Sequence, residues 1–350
     1  MQPMTPRQRV LAALNKQPTD KMPFTIYESK IPQCSVERQL RNEGLCIVHR
    51  NVSALNQTRP NCVGRSYIYT EDGRKRVRNE LQTPAGTLNT VTEPAGFTSW
   101  TLEKLFKSPA DYKALLAMVN DTRYSPSYEA VTAAQSWMGD DVILRGGVGM
   151  QPLQEIMIHW MGVETFAIEW MDNRDEVLKL EKAMAAKLRE AFPLMAAAPF
   201  THCNLSGNEV PEMIGPHRYR EFCIPLINEC AEHFHRHGRF LGSHMDGNNK
   251  PWAADLAASG LDYIEAFTPS PDTDLTIEEA LAAWPDKVLW INFPSSLHLS
   301  SIDTIKKTTR RIIEASAGAN RVILGITEDM PPDRWQGNLL AISEVINEMA

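Results

Sequence analysis

The sequence has 350 residues, of which 43% are hydrophobic and 23% charged, so it is long enough for one or two folded domains with a large core. Its net charge of −7 argues against a nucleic-acid partner, which normally leaves a basic footprint. No apolar run approaches the roughly 20 residues that span a bilayer, and the N-terminal sequence predicts no export signal. The six scattered cysteines predict reduced thiols and a cytoplasmic protein.

Short apolar runs, many of them rich in Val, Ile and Phe, recur along the chain and have the length of strands. They lie at 23–27, 44–50, 142–148, 199–206, 239–246, 261–267, 288–294 and 321–327. Helical patterns separate most of these runs. Such patterns follow Thr5 and are also predicted near 101–119, 126–138, 173–198, 216–238 and 301–318. Eight strands alternating with helices predict a parallel sheet of the α/β class, and eight strands close a (β/α)8 TIM barrel.

The long segment between the second and third strands predicts an insertion. The Asp-Gly at 72–73 and the Pro-Ala-Gly at 84–86 are turn signals flanked by strand-like residues, which predicts a small antiparallel meander. We therefore expect a single barrel domain over residues 1–350 that begins with a helical segment. The meander and further helices would be inserted at about 60–138 and would cover one barrel mouth.

The carboxyl ends of the predicted strands are the candidate site, because catalytic groups of such barrels lie there. Polar residues recur at these ends, and the return of the chain to water explains most of them. Glu265 is different, since it lies inside the apolar run LDYIEAF. A buried carboxylate needs a partner or a cation, so Glu265 predicts either a structural salt bridge or a metal ligand.

His244, Glu265 and Glu328 follow the fifth, sixth and eighth predicted strands, whose ends a barrel can bring together. One imidazole and two carboxylates with an open position suit a catalytic Zn²⁺. Asp246 is the rival ligand, because alternation along the strand would turn it to the same side as His244. It would then bind the ion or orient the imidazole. Taken alone, the stretch LGSHMDG at 241–247 is also typical of a capped strand end with a satisfied histidine.

Several stretches resemble members of the uroporphyrinogen decarboxylase superfamily: MTPRQRVLAALNKQPTDKMPF, GSHMDG, GLDYIEAF and VILGITEDMPPDRWQGNLLAI. The resemblance covers nearly the whole chain and implies a (β/α)8 barrel with its site at the C-terminal mouth. True decarboxylases of the superfamily carry an arginine-rich motif of the RQAGRY type, where this chain reads YESKIPQCSVERQL. The chain resembles instead the branch of corrinoid-dependent methyltransferases.

Thiol-methylating members of that branch bind zinc through a His-x-Cys pair and a later cysteine, which match His244, Asp246 and, roughly, Glu328 here. Carboxylates in place of thiolates leave the metal a stronger Lewis acid toward oxygen. The resemblance therefore implies the methyl-donor-side methyltransferase of an O-demethylase system. Such an enzyme moves a methyl group from a small methoxylated compound, often aromatic, to the cob(I)alamin (cobalamin) of a separate corrinoid protein.

Under this interpretation Zn²⁺ is bound by His244, Glu265 and Glu328, and Asp246 is an alternate or outer ligand. We predict catalytic roles for His244, Glu265 and Asp246. The residues predicted to orient the aromatic ring are Tyr27, Asn208, Trp290 and Asn292.

Other interpretations remain open at this stage. One is a metal-free lyase of the uroporphyrinogen decarboxylase type, which needs basic residues at the mouth, and Arg50 and Arg145 are the obvious strand-borne arginines. Another is a non-catalytic ligand-binding barrel. The sequence does not identify the methyl donor, and a homodimer is compatible with it.

Overall fold

The computed structural model describes residues 2–96 and 98–350. Contacts divide the chain into two compact units. The barrel unit comprises the described residues of Met1–Ala54, Ser127–Gly149 and Met195–Ala350, and the second unit comprises those of Leu55–Pro126 and Met150–Leu194.

Eight parallel strands form the closed barrel of the first unit, in the order β1-β14-β13-β12-β11-β10-β9-β2. The strands of both units are β1 (Phe24–Tyr27), β2 (Leu45–His49), β3 (Leu55–Thr58), β4 (Val63–Glu71), β5 (Arg74–Thr83), β6 (Gly86–Ala95), β7 (Thr98–Glu103), β8 (Arg123–Pro126), β9 (Val142–Gly149), β10 (His202–Gly207), β11 (Phe240–His244), β12 (Tyr263–Phe267), β13 (Val288–Asn292) and β14 (Val322–Ile326). Each barrel strand falls on one of the eight predicted runs, so the predicted (β/α)8 fold is confirmed.

The helices are α1 (Pro6–Leu14), α2 (Ser35–Glu43), α3 (Tyr112–Asp121), α4 (Tyr128–Trp137), α5 (Pro152–Glu155), α6 (Val163–Asp172), α7 (Arg174–Ala197), α8 (Pro216–Arg218), α9 (Ile224–Arg236), α10 (Ala253–Ala258), α11 (Ile277–Ala283), α12 (Ile302–Ala315) and α13 (Trp335–Glu348). Short π-helical segments lie at Ile156–Met161 and Tyr219–Cys223. Short 3₁₀ segments lie at Glu28–Lys30, Pro109–Asp111, Lys250–Trp252 and Ser295–Leu299. Helix α1 begins where the sequence predicts, because Thr5 and Gln8 form a reciprocal capping box.

In the second unit, β4 to β7 form the predicted antiparallel meander. Its first turn places Asp72 and Gly73 at φ of 50° and 74°, the left-handed pair that a two-residue hairpin turn of type I′ requires. The predicted helix from residue 101 is wrong at its start. Thr98–Glu103 pairs with β6 as a strand, and the helix begins only at Tyr112. The β-branched and aromatic residues of TSWTLE favour that pairing.

Aromatic residues fill the barrel interior. Trp290 is 1% exposed, and its ring centroid lies 5.7 Å from that of His202 and 5.9 Å from that of Tyr263. The Trp290 indole N–H donates to Thr25 Oγ1 (2.9 Å), and the Tyr263 hydroxyl donates to the Cys203 carbonyl (2.8 Å). These bonds allow two polar aromatic rings to lie in an apolar core.

His202 is fully buried, and neither ring nitrogen has a hydrogen-bond partner among the described residues. Burial, and then the charge of Arg145, lower the pKa of His202 to about 3. An unfolded histidine has a pKa near 6.5, so the unfolded chain binds the extra proton first as the pH falls. The stability that the neutral ring contributes is therefore present above about pH 6.5 and is lost below it.

We expect the free energy of unfolding to fall by roughly 2 kcal/mol between pH 7 and pH 5 because of His202. Urea denaturation at both pH values should show this fall in the wild-type protein, and His202→Phe should lack that part of it. His298, whose pKa burial lowers to about 4, is present in both proteins and cancels in the comparison. An equal pH dependence in the two proteins would contradict the assignment.

Candidate metal centre

The site lies at the carboxyl ends of the barrel strands. His244 is the last residue of β11, Glu265 lies in the neighbouring strand β12, and Tyr27 ends β1. His244 and Glu265 are register partners across the two strands. Because all these strands are parallel, their side chains converge at one end of the barrel.

One ring nitrogen of His244, Nε2, lies near two carboxylates. Nε2 lies 3.6 Å from Asp246 Oδ2 and 3.8 Å from Glu328 Oε1. One ligand atom from each of the three residues lies within 4.8 Å of the other two, an arrangement that could hold a metal ion. Glu328 follows β14, so the cluster joins two separate strand ends. The structure thus brings together the predicted ligands His244 and Glu328 with the rival ligand Asp246.

The other ring nitrogen of His244 faces a different group. Nδ1 lies 3.3 Å from Glu265 Oε2 and 3.1 Å from the Tyr27 hydroxyl. Glu265 is fully buried and forms a salt bridge with Arg145. Its Oε2 also accepts a hydrogen bond from Asn204 Nδ2. Of the two partners that the sequence allows for Glu265, the structure therefore contains the salt bridge, and the carboxylate lies on the Nδ1 side of the ring.

The charges of this cluster stabilise one another. Burial alone would raise the pKa of Glu265, but the charge of Arg145 and the hydrogen bond from His244 outweigh it and hold that pKa well below its usual range. Burial would lower the pKa of His244, but its hydrogen bonds with Asp246 and Glu265 raise it to about 9. Burial raises the pKa of Glu328, against the charge of His244. The surrounding carboxylates thus create a negative electrostatic potential at the imidazole, which favours the binding of a cation there.

The residues predicted to orient a substrate ring have different surroundings. Asn208 lies beside the cluster, with its amide donating to Asp246 Oδ2 (3.3 Å) and its backbone N–H donating to the His244 carbonyl. Trp290 and Asn292 are each 1% exposed. Asn292 accepts from the Thr327 backbone N–H at 3.0 Å. Contact with a substrate stays a prediction for these residues and for Tyr27.

Arg145 is the site residue whose partner the sequence did not reveal. It lies in the apolar strand VILRGGVG, just as Glu265 lies in YIEAF. In both cases the sequence signal was an ionisable residue within an apolar strand. A buried positive charge and a buried negative charge of this kind suggest that the two residues form an ion pair. Asn204, which holds the second oxygen of Glu265, gave no such signal, because an amide at a strand end is common.

Arg50 and Arg145 both contact Tyr27. The Arg50 guanidinium carbon lies 3.6 Å from the centroid of the Tyr27 ring, and that of Arg145 lies 5.1 Å from it. Arg50 Nε also donates to Glu28 Oε2 at 3.1 Å. Each arginine is thus paired with a carboxylate of the barrel unit.

Backbone geometry brings β10 close to His244. Gly207 has φ of 151°, and a Cβ atom at this position would lie 2.6 Å from His244 Cβ. Gly207→Ala is expected to displace His244, to lower the free energy of unfolding by about 1–3 kcal/mol and to weaken the Zn²⁺ binding that the sequence predicts. Chemical denaturation and zinc titration measure the two effects. The control is Gly147→Ala, where an added Cβ meets no atom within 4 Å, and equal behaviour of the two variants would contradict this prediction.

The closed parallel barrel and the cluster of polar residues at its C-terminal mouth together define a (β/α)8-barrel protein with its candidate site at that end of the strands. The family model for uroporphyrinogen decarboxylase (URO-D) matches residues 93–349, which is more than half of the chain. The chain therefore belongs to the URO-D family.

Three solved structures align with this chain, and the first of them shares its fold. A methyltransferase from Methanosarcina mazei aligns with a TM-score of 0.60 and 14% identity over 99% of each chain. The pneumococcal virulence factor StrH aligns with a TM-score of 0.40 and 9% identity, over 97% of this chain and 84% of its own. The spore cortex-lytic enzyme SleL of Bacillus megaterium aligns with a TM-score of 0.37 and 10% identity, over 94% of this chain and 75% of its own. Among curated protein sequences, none is significantly similar to this chain. Within the described residues, no helix has the length and apolar character needed to cross a membrane.

Proposed function

We propose that this protein is a zinc-dependent methyltransferase that moves a methyl group from a small methoxylated or other O-methyl compound to the cob(I)alamin of a separate corrinoid protein. The observation that carries the proposal is the cluster of His244, Asp246 and Glu328 at the barrel mouth. Membership of the URO-D family and the fold shared with the Methanosarcina mazei methyltransferase are consistent with it. An aromatic methyl donor and a cytoplasmic location are further parts of the prediction, and a homodimer is compatible with it.

The donor atoms fit a zinc ion. A tetrahedral Zn²⁺ with bonds of about 2.0–2.1 Å holds its ligand atoms roughly 3.3 Å apart. The separations of 3.6 and 3.8 Å from His244 Nε2 to the two carboxylates need only small adjustments to reach that value. Two carboxylates and a neutral imidazole also balance the charge of a dication. The proposed ligands are therefore His244, Asp246 and Glu328, with Glu265 as the group that orients the imidazole through Nδ1.

The chemistry that zinc supplies in such a site is Lewis-acid withdrawal of charge from an oxygen, which makes that oxygen a better leaving group. The chain contributes position. Glu265 accepts from His244 Nδ1–H and so directs the lone pair of Nε2 toward the ligand position. The side chains of Asp246 and Glu328 are 25% and 41% exposed, so the Nε2 side of the His244 ring is open to a substrate entering from the mouth.

The metal-free lyase is the rival function, and it needs cationic groups free to bind the carboxylates of a tetrapyrrole. Arg50 is paired with Glu28 and Arg145 with Glu265. These pairs leave the strand-borne arginines engaged within the protein and favour the metal-dependent proposal.

Cobalamin absorbance tests the proposal. The purified protein, loaded with Zn²⁺, is mixed with cob(I)alamin and, in separate reactions, with methanol or with methoxylated aromatic compounds. We expect methylcobalamin to form with one donor class, to stop after chelation of the metal and to resume when Zn²⁺ is returned. Zinc-independent turnover of a tetrapyrrole, or no methyl transfer by protein that carries stoichiometric zinc, would contradict the proposal.

A further inference from the structure

We infer that Arg145 is a positioning residue of the metal centre, which holds Glu265 on the Nδ1 side of His244 and so keeps this carboxylate from binding the ion. The inference rests on the proposed metal-dependent function. Three acidic residues, Asp246, Glu265 and Glu328, surround His244. Under this inference, Arg145 determines whether the ion binds two of them or all three.

The contacts of Arg145 fix two groups at once. Its Nη1 donates to Glu265 Oε1 and to the Tyr27 hydroxyl, the latter at 2.8 Å. Both acceptors face His244 Nδ1, at 3.3 Å for Glu265 Oε2 and 3.1 Å for Tyr27. The Arg145 side chain is itself only 12% exposed, so the surrounding barrel restricts its motion. The guanidinium therefore anchors the whole Nδ1 side of the ring.

Neither oxygen of Glu265 is left without a partner. Oε1 accepts from Arg145, and Oε2 accepts from Asn204 and faces His244. A buried carboxylate without such partners would turn toward a nearby cation, because an uncompensated charge is costly in a protein interior. Arg145 provides the compensating charge before any metal binds.

This pairing has a consequence for the ion. With Asp246 and Glu328 as its acidic ligands, a dication and its ligands are neutral together. If Glu265 joined them, a third negative charge would be donated to the metal and would weaken its attraction for a substrate oxygen. Arg145 thus keeps the centre a stronger Lewis acid, which the proposed reaction requires.

Cobalt substitution tests this role, because the visible absorption of Co²⁺ weakens when its coordination number rises. In Arg145→Met, we expect Glu265 to join the ion, so that Co²⁺ absorption weakens and Zn²⁺ affinity, measured by competition with a chelator, rises at least about tenfold. Adding Glu265→Gln to this variant should restore the wild-type spectrum. Arg145→Lys, which keeps a cation beside Glu265, should also retain that spectrum.

The control is Arg9→Met, which breaks the largely buried pair of Arg9 and Asp20 (2.6 Å) and should leave the Co²⁺ spectrum unchanged. Arg145→Gln repeats the test with a milder change should the methionine variant fail to fold. A wild-type spectrum and unchanged or lower Zn²⁺ affinity in the Met or Gln variant would overturn the role of Arg145 alone. Failure of the wild-type protein to bind either metal would instead overturn the proposed function, and this inference with it.

Discussion

Replacing His244 with alanine is expected to remove bound zinc and to abolish methyl transfer to cob(I)alamin. His244 is the proposed nitrogen ligand of the ion, and its Nε2 is the atom that faces both Asp246 and Glu328. Four-ligand zinc sites bind with about 10–16 kcal/mol, so one ligand accounts for roughly 3–4 kcal/mol, or about 10²–10³-fold in affinity. The residual pair of carboxylates would not retain zinc through purification.

Elemental analysis of the purified variant and the cobalamin absorbance assay measure the two effects. The fold should survive, because Glu265 keeps its bonds to Arg145 and Asn204. His235→Ala is the matched control. His235 also pairs with a carboxylate, Asp262, at 3.0 Å, and its loss should leave zinc content and turnover unchanged. Stoichiometric zinc in His244→Ala would rule out the ligand set.

Replacing Trp290 with alanine is expected to lower the free energy of unfolding by about 3–5 kcal/mol, the range for removing a large aromatic side chain from a core. The indole is 1% exposed, contacts His202 and Tyr263, and donates to Thr25. The variant would therefore leave a cavity and remove the N–H that donates to Thr25 Oγ1, while the Thr25 hydroxyl keeps its hydrogen bond to the Leu324 carbonyl (3.3 Å). Chemical denaturation of the two proteins at equal pH measures the difference.

Trp137 provides the control for this change, because its side chain is 83% exposed and its loss should alter stability little. A similar small effect in Trp290→Ala would contradict the core role. Trp290→Phe separates stability from the predicted contact with substrate. It keeps a ring in the core, so a raised KM for the methyl donor in a stable Trp290→Phe protein would support that contact.

The sequence by itself determined the barrel. Each strand run, such as VILGI at Val322–Ile326, is short, apolar and bounded by polar residues, and these are local properties that a strand buried on both faces imposes. The hairpin turn at Asp72 and Gly73 was equally local, because its left-handed angles require such residues. The strand Thr98–Glu103 was missed although its β-branched and aromatic residues favour a strand, because so short a segment becomes a strand only by pairing with β6.

The sequence also marked His244, Asp246, Glu265 and Glu328 as candidates. Only the tertiary structure decided which of the three carboxylates lie beside the same ring nitrogen of His244. Arg145 and Glu265 are 120 positions apart and lie on strands that are not neighbours, so they meet only because the barrel closes. That pairing turns Glu265 toward Nδ1, while Nε2 faces Asp246 and Glu328. Residue types and spacing carry the chemistry of a site, whereas the side of a ring that each group reaches depends on contacts between distant parts of the chain.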